Sequence, residues 1–459
     1  MDENIFREYD IRGIVGEQLN DEVVTTLGRA IGQYFISHNA KRIAAGYDAR
    51  KSSPGYRDLL IAAFNECGID VVNIGMVPTP VLYHTVFTKP VDGGVMITGS
   101  HNPPDHNGFK ICIGKEALFG EQIQEIKRLA FVLSSAFRRP DSSKKPAKAG
   151  TQNERLDVLA DYIADITSPI HVGQRKLRVV LDAGNGMGGV TAVPVLEKLS
   201  VDLVELYTEP DSDFPNHHPD PTVTENLLDL VEAVTAYNAD IGIAFDGDGD
   251  RIGVVDETGR IIWGDELMIL LERSVLAELP GSTVIGEVKC SQALFDDIEK
   301  RGGKAIMWKA GHSLIKAKMK ETGAVLAGEM SGHIFFADRY YGFDDATYAA
   351  ARVVEILSHT DKTLSELLSD LPQTFSTPEI RVPCPEEKKF DVVAKVAEHF
   401  SATNEVVTID GARIIFEHGW GLVRPSNTQA ILVLRFEADS EEHLNKIRQM
   451  VEEPLHALI

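Results

Sequence analysis

Residues 246–250 read Asp-Gly-Asp-Gly-Asp and follow the apolar run 241–245. Three carboxylates stand at alternate positions, and the glycines between them let the backbone fold tightly enough for the carboxylates to converge. An all-oxygen set of this kind suits a hard cation, Mg2+ or Ca2+. The plain alternative is a solvated acidic turn. An EF-hand is a sharper rival, because Asp246, Asp248 and Asp250 fit its first, third and fifth ligand positions and Glu257 its twelfth. The sixth position needs glycine for the sharp turn and here holds Arg251, and both flanks read as strands. A guanidinium beside a cation instead suits an anion held between them, as phosphoryl transfer needs.

A second loop, Thr98-Gly-Ser-His-Asn-Pro-Pro, offers the Ser100 hydroxyl as a nucleophile or phosphate carrier, with His101 and Lys110 close enough in sequence to manage its proton. On these residues alone a Ser/Asn-rich turn is the simpler reading. Gly328-Glu-Met-Ser-Gly-His combines an acceptor with hydroxyl and imidazole groups, a set that suits sugar hydroxyls. Arg424-Pro-Ser-Asn-Thr lies between two strand-like runs and makes either a phosphate cradle or an ordinary hairpin turn. Gly311-His-Ser, Lys309 and Lys289 also follow strand ends and are either phosphate ligands or surface charges. Gly184-Asn-Gly-Met-Gly-Gly fits the dinucleotide fingerprint, with Asp202 or Glu205 as the distal acid. That would make the chain an NAD-dependent oxidoreductase, but it leaves the aspartate triplet and the Ser100 loop unexplained. A tight strand-to-helix turn accounts for these glycines more simply.

These loops need elements to hold them. Short apolar runs recur in threes with helical patterns between: 43–46, 71–75 and 94–98; 179–181, 203–206 and 241–245; 284–286, 305–308 and 324–327. Strand, helix, strand implies parallel sheets with crossover helices. The third strand of each unit opens into the Ser100, aspartate or Glu329 loop. In open α/β sheets ligands gather beyond the carboxyl ends of strands, so three domains would each contribute one segment to a shared central cleft. The expected fold is therefore three consecutive α/β domains of similar topology with mixed, mostly parallel sheets, followed by a small C-terminal α+β domain. Residues 134–150, rich in Ser, Pro and Lys, read as a linker; a turn at 256–259 and Ser, Thr and Pro clusters over 358–387 mark further breaks. The domains are thus 1–145, 146–260, 261–370 and 371–459, each expected to bury its own core.

Composition excludes several classes. The chain of 459 residues carries a net charge of −23, which argues against nucleic-acid and anionic-membrane partners. Four scattered cysteines without a CxxC pair read as reduced thiols of a cytoplasmic protein. The acidic start has no apolar run of a signal peptide, and no stretch approaches the roughly 20 apolar residues of a membrane span.

In combination and in order, these motifs resemble the α-D-phosphohexomutase superfamily, most closely its bacterial phosphomannomutase/phosphoglucomutase branch. The resemblance begins at Phe6-Arg-Glu-Tyr-Asp-Ile-Arg-Gly and includes Asn107-Gly-Phe-Lys and Phe214-Pro-Asn-His-His-Pro-Asp-Pro beside the loops above. It implies a monomeric enzyme that moves a phosphoryl group between the 1- and 6-positions of mannose or glucose phosphate. Ser100 would carry the phosphate, and one phosphate oxygen with Asp246, Asp248 and Asp250 would hold one Mg2+. A hexose 1,6-bisphosphate would form and turn end for end in the cleft. Glu329 and Ser331 would hold sugar hydroxyls. Arg424, Ser426, Asn427 and Thr428, with Tyr9, Lys289 and His312, would hold the phosphate that is not reacting. Lys110, His101 and Arg12 would handle protons and Arg251 would stabilise charge. A mobile last domain would close the cleft. Pro425 and Gln429-Ala430 depart from the commonest pattern of the phosphate loop. Met330 and Gly99 resemble the glucose/mannose enzymes, whereas phosphoglucosamine mutases, the alternative, usually carry Gln and Ala there.

Overall fold

The run Ile241–Phe245 is buried at every position, as a central parallel strand covered on both faces requires. Such runs build the protein, whose computed structural model describes residues 1–137, 151–426 and 430–459. The first sheet places Asp70–Met76, Arg42–Tyr47, Gly93–Ile97 and His106–Ile113 side by side, the first three parallel and the last antiparallel. The second repeats that order with Asp202–Leu206, Arg178–Asp182, Ile241–Phe245 and Ile252–Asp256. The third repeats it again with Lys304–Trp308, Thr283–Glu287, Leu326–Gly328 and Ile334–Phe336. The predicted three-strand repeat is therefore a four-strand one, whose last member returns antiparallel after the functional loop. The fourth sheet is antiparallel throughout and centres on Gly419–Pro425 and Ile431–Ala438.

Helices cross between the parallel strands, and local chemistry sets their ends. Asn20 caps Asp21–Ser37 by accepting from the Val23 amide at 3.1 Å, and Asp21 and Glu22 complement the positive helix end. Helix Glu121–Phe137 continues into the stretch read as a linker, the rest of which, 138–150, lies outside the described residues. Strand Asn153–Arg155 then pairs with Asp70–Met76, so the first sheet draws on chain beyond residue 145.

The apolar packing adds to the expectation of separate cores. One continuous core runs from Ala44 through Leu181 and Ile243 to Leu326 and Leu357 and links one face of each of the first three sheets, while further interiors around Phe109, Leu230 and Ile315 belong to the first, second and third sheets separately. Helix Ala346–Ser358, which follows the third sheet, packs on Gly188–Lys198 of the second and helps fuse them. The last domain keeps its own core around Val396, Ile414 and Leu434.

That last domain is joined to the third sheet mainly by buried polar contacts. Arg413 donates to the carbonyls of Val288 at 2.7 Å and Cys290 at 2.8 Å, with its guanidinium 3.8 Å from the Trp420 ring centroid. Arg435 bonds Asp265 at 3.2 Å and the Lys289 carbonyl, and Glu437 accepts from the Gln292 amide at 3.1 Å. Only a small apolar patch of Val288, Trp420 and Leu422 accompanies them. Replacing Arg413 by Ala leaves two buried carbonyls unpaired and should cost about 3 kcal/mol. Calorimetry of Arg413→Ala should show an earlier, separate transition for the last domain; a single unshifted transition would mean the joint does not rest on this arginine.

Candidate active site

The three equivalent loops meet in space. Gly186 and Gly247 show how tightly: a Cβ on Gly247 would lie 2.3 Å from the Ser100 carbonyl oxygen, and one on Gly186 would lie 2.9 Å from the Gly247 Cα. The 184–189 glycines therefore serve close packing behind the aspartate loop, and protein fills the space a dinucleotide pyrophosphate would need. The aspartate triplet lies between two strands, Ile241–Phe245 and Ile252–Asp256, not between the helices of an EF-hand.

Ser100 is buried and has φ of +48°, a left-handed conformation that non-glycine residues seldom adopt. Sequence reasoning missed what holds it there. Arg50, 2% exposed, threads its guanidinium into the loop and donates to the carbonyls of Ser100 at 2.8 Å, Asn102 at 2.6 Å, Pro103 at 2.5 Å and His106 at 2.9 Å. Asp48 anchors Arg50 at 3.2 Å and accepts from the Gly99 amide at 3.0 Å. A Cβ on Gly99 would come within 2.4 Å of the Arg50 Cζ, so this position needs glycine. The Ser100 hydroxyl donates to Asp246 Oδ2 at 2.9 Å, and its oxygen lies 3.1 Å from His101 Nδ1. Phe214 and His218 of the proline-rich segment support the loop, through the Arg50 guanidinium and the His101 carbonyl respectively.

Asp246, Asp248 and Asp250 are fully buried, with carboxylate oxygens from all three within 4.8 Å of one another. Asp246 Oδ1 accepts from the amides of Asp250 and Arg251 at 3.1 and 3.2 Å. Asp248 Oδ2 accepts from Thr79 Oγ1 at 2.5 Å. Lys110 Nζ reaches across from the first sheet to Asp248 Oδ2 at 2.7 Å and Asp250 Oδ2 at 2.5 Å. Asp248 Oδ1 and Asp250 Oδ1 are buried without a hydrogen-bond partner. Orphaned carboxylate oxygens in a converging all-oxygen set fit a divalent cation. Burial, then Asp250 and Asp248, push the Asp246 carboxyl well above its usual range. Burial opposes the charge on Lys110, but Asp248, Asp250 and Asp246 outweigh it and hold the lysine cationic. Burial, reinforced by Arg251 and Arg12, keeps His101 neutral.

The third loop brings Glu329 and His333, whose imidazole the sequence grouped with the sugar-binding set without a role of its own. Glu329 Oε2 lies 2.6 Å from His333 Nδ1, while Oε1 accepts from the Gly311 amide at 2.6 Å. His333 Nε2 lies 3.3 Å from Asp250 Oδ1 and 3.2 Å from Arg251 Nε. The signal was available, because His333 closes the Gly328-Glu-Met-Ser-Gly-His motif. Ser331 is half-buried in the same loop. Arg12 lies on the strand beside the Ser100 loop and bonds Asp10 at 2.6 Å.

Beyond Glu329 lies a second group. The Tyr9 hydroxyl donates to the Ala310 carbonyl at 2.9 Å and its ring meets His312 edge-on. His312 is buried, its Nδ1 3.5 Å from Asp344 Oδ2. Asp410, which no sequence signal marked, accepts from the Ala310 amide at 3.0 Å and lies 3.0 Å from Arg424 Nη2. Lys289 lies 3.5 Å from Glu379 and 3.7 Å from Glu287. Ser426 ends the strand carrying Arg424, and its carbonyl accepts from Lys389 at 2.6 Å. Asn427 and Thr428 lie outside the described residues.

Four sequence-family models, described as phosphoglucomutase/phosphomannomutase α/β/α domains I, II and III and the C-terminal domain, match residues 3–135, 160–259, 263–375 and 379–453. The chain belongs to the phosphoglucomutase/phosphomannomutase family. It is 45% identical over 456 residues to a phosphomannomutase/phosphoglucomutase of Pseudomonas aeruginosa, covering 99% of this chain and 96% of that protein. It is 46% identical over 449 residues to a phosphoglucomutase of Neisseria meningitidis, covering 97% and 95%. A crystal structure of a family protein from Burkholderia thailandensis superimposes with a TM-score of 0.91 at 41% identity, over 100% of this chain and 98% of that one.

The Glu329–His333 pair has a testable titration. Burial raises the Glu329 carboxyl, but the His333 hydrogen bond and charge prevail and bring it down to about 2. Burial and Arg251 work against the His333 charge, yet Asp250 and Glu329 raise it to about 9. A raised histidine contributes stability that is fully present below its unfolded value of about 6.5 and is lost as pH rises through about 9. Denaturant unfolding of the metal-free protein should show the wild-type advantage over His333→Gln shrinking between these limits. A constant advantage across this window would mean the ring is neutral throughout.

Proposed function

We propose that this chain interconverts the 1- and 6-phosphates of mannose and glucose through a phosphorylated Ser100 and a hexose 1,6-bisphosphate intermediate. The observation that carries the reading is the Ser100 hydroxyl, 2.9 Å from Asp246 in a buried carboxylate cluster with two orphaned oxygens. Asp246, Asp248, Asp250 and the phosphorylated Ser100 would hold Mg2+, which when bound supplies positive charge to the phosphoryl oxygens.

The chain's own groups do the rest. Phosphoryl transfer is mainly positioning and charge neutralisation, and Lys110 and Arg251 are cations fixed in the site. As the phosphoryl group leaves Ser100, its oxygen needs a proton; as the group arrives on the sugar, the sugar hydroxyl loses one. His101 stands at the serine oxygen, while His333 stands on the sugar-binding loop. Lys110, held cationic, stabilises charge better than it accepts a proton, and Arg12 adds a second cation beside it. Glu329 and Ser331 take sugar hydroxyls. Tyr9, Lys289, His312, Arg424, Ser426, Asn427 and Thr428 take the distant phosphate, with Asp410 orienting Arg424. We take the active form to be a monomer. Its four free cysteines and the absence, among the described residues, of a helix long and apolar enough to cross a membrane suit our assignment to the cytoplasm. Gly99, packed against Arg50, and Met330 support the mannose and glucose reading over glucosamine phosphate, whose mutases usually carry Ala and Gln there.

Intact-protein mass spectrometry should find a phosphoryl adduct that Ser100→Ala lacks, and that variant should lose at least about a thousandfold in kcat. A Ser100→Ala protein with normal turnover sinks the phosphoserine route. Mannose 1-phosphate and glucose 1-phosphate should both be turned over, and chelation should stop both. Turnover of glucosamine 1-phosphate alone would reject the substrate assignment, and a chelator-resistant rate would remove the cation from it.

A further inference from the structure

Far from the cleft, the last domain gathers a second kind of donor set. His418 lies in the turn joining Ala412–Phe416 to Gly419–Pro425, Asp439 follows the end of Ile431–Ala438, and His443 lies in the first turn of Glu441–Leu458. His418 Nδ1 is 2.9 Å from Asp439 Oδ2, and His443 Nδ1 is 2.5 Å from Asp439 Oδ1. One carboxylate thus faces two imidazoles, whose rings stack 3.9 Å apart and 5° from parallel. Ligand atoms from all three residues lie within 4.8 Å of one another.

The backbone fixes this arrangement. The Asp439 amide donates to the His418 carbonyl at 3.1 Å, which ties the turn to the strand end. The Ser440 side chain accepts from the His443 amide at 3.2 Å, which caps the helix and sets the azimuth of its first turn. A turn, a strand end and a helix start therefore present one donor each. His443, then His418, hold the exposed Asp439 carboxyl below its ordinary value, so it is an anion at neutral pH. Glu441 and Glu442 add further negative charge in the same helical turn.

We propose that His418, Asp439 and His443 form a surface site for a borderline divalent transition ion such as Ni2+, Cu2+ or Zn2+. Two imidazoles and one carboxylate select these ions over Mg2+ and Ca2+, which prefer all-oxygen sets. Metal–donor distances of about 2.0–2.2 Å require the two stacked rings to tilt apart so that each directs a nitrogen lone pair at the ion, which side-chain rotation at this surface supplies. Bound there, the ion cross-links the hairpin turn to the terminal helix and leaves positions open to water. The strand Gly419–Pro425 carries Arg424 at its far end. At about 3.3 Å per residue the two ends are roughly 20 Å apart, so occupancy stabilises the domain without touching the cleft.

The test is equilibrium dialysis of the full chain against Ni2+ in excess Mg2+, which keeps the all-oxygen cluster supplied with its preferred ion. One Ni2+ per chain should bind with a micromolar Kd. His418→Ala and His443→Ala should each weaken it at least tenfold, with glucose 1-phosphate turnover unchanged and the same Tm in EDTA. Ni2+ should raise the Tm of the wild type and not of the double variant. Equal Ni2+ affinity in wild type and double variant would overturn the proposal. A measurement on the wild type alone keeps it exposed: Cu2+ electron paramagnetic resonance should show two equatorial imidazole nitrogens, and a one-nitrogen or all-oxygen spectrum would end it.

Discussion

Three carboxylates buried within five residues are the constraint around which this protein is arranged. An isolated carboxylate taken out of water loses several kcal/mol of solvation, and neighbours of like charge make it worse. The second sheet alone offers too little compensation: it supplies amides to Asp246 and the Arg251 guanidinium, and Asp248 and Asp250 need further cations. Those come from elsewhere in the fold. Lys110 projects from the first sheet to Asp248 and Asp250, and His333 approaches Asp250 from the third. Electroneutrality in the cleft is therefore a tertiary property. The aspartate loop reaches a low-energy state only when three sheets are packed together, which is consistent with the apolar cluster that links one face of each.

The last domain stands outside that arrangement. Its interior is its own, and it meets the third sheet through Arg413, Arg435 and Glu437 with few apolar contacts. Hydrogen-bonded joints of this kind exchange partners at lower cost than an interdigitated core. The proposed phosphate-binding strand lies on the element least rigidly tied to the chemistry. That division suits the proposed bisphosphate intermediate, held at one end while it reorients, because the distal grip can loosen without disturbing the buried charges.

Local spacing made the aspartate and Ser100 loops legible, since ligands two residues apart and a constrained serine are written contiguously. Their equivalence was legible from the threefold repeat of apolar runs. Of the antiparallel fourth strands only Ile252–Asp256 was read as a strand, as a flank of the aspartate loop; His106–Ile113 and Ile334–Phe336 were not, because their pairing follows from loops whose course no local pattern encodes. Arg50 reads as an ordinary charged residue in Asp48-Ala-Arg-Lys; its importance lies in carbonyls some fifty positions later in the chain. Asp410 is likewise defined by partners from two other segments. The shared core escaped for a related reason: helix Ala346–Ser358 packs on elements of both the second and the third sheets, and no local pattern encodes that double contact.

One regularity links these observations. The first strand of each repeated unit ends in an acid: Asp48, Asp182 and Glu287. Each acid accepts from the amide two residues on, those of Arg50 at 3.0 Å, Gly184 at 2.8 Å and Lys289 at 2.8 Å. In two sheets the same acid also takes an amide of the adjacent functional loop, Gly99 at 3.0 Å and Met330 at 3.4 Å. In the second sheet, Asp182 instead holds His217 of the segment behind the Ser100 loop, at 2.9 Å. The repeated unit thus supplies more than a strand end on which to place chemistry: it supplies a buried carboxylate that fixes where the neighbouring segment starts. Burial of that carboxylate is satisfied by backbone amides, so the loop beyond is free to diverge into hydroxyl, carboxylate or glutamate–histidine chemistry. A left-handed Ser100 is tolerable on such a footing, because Asp48 and Arg50 together satisfy the loop's backbone from both sides and leave the hydroxyl as the group still able to move.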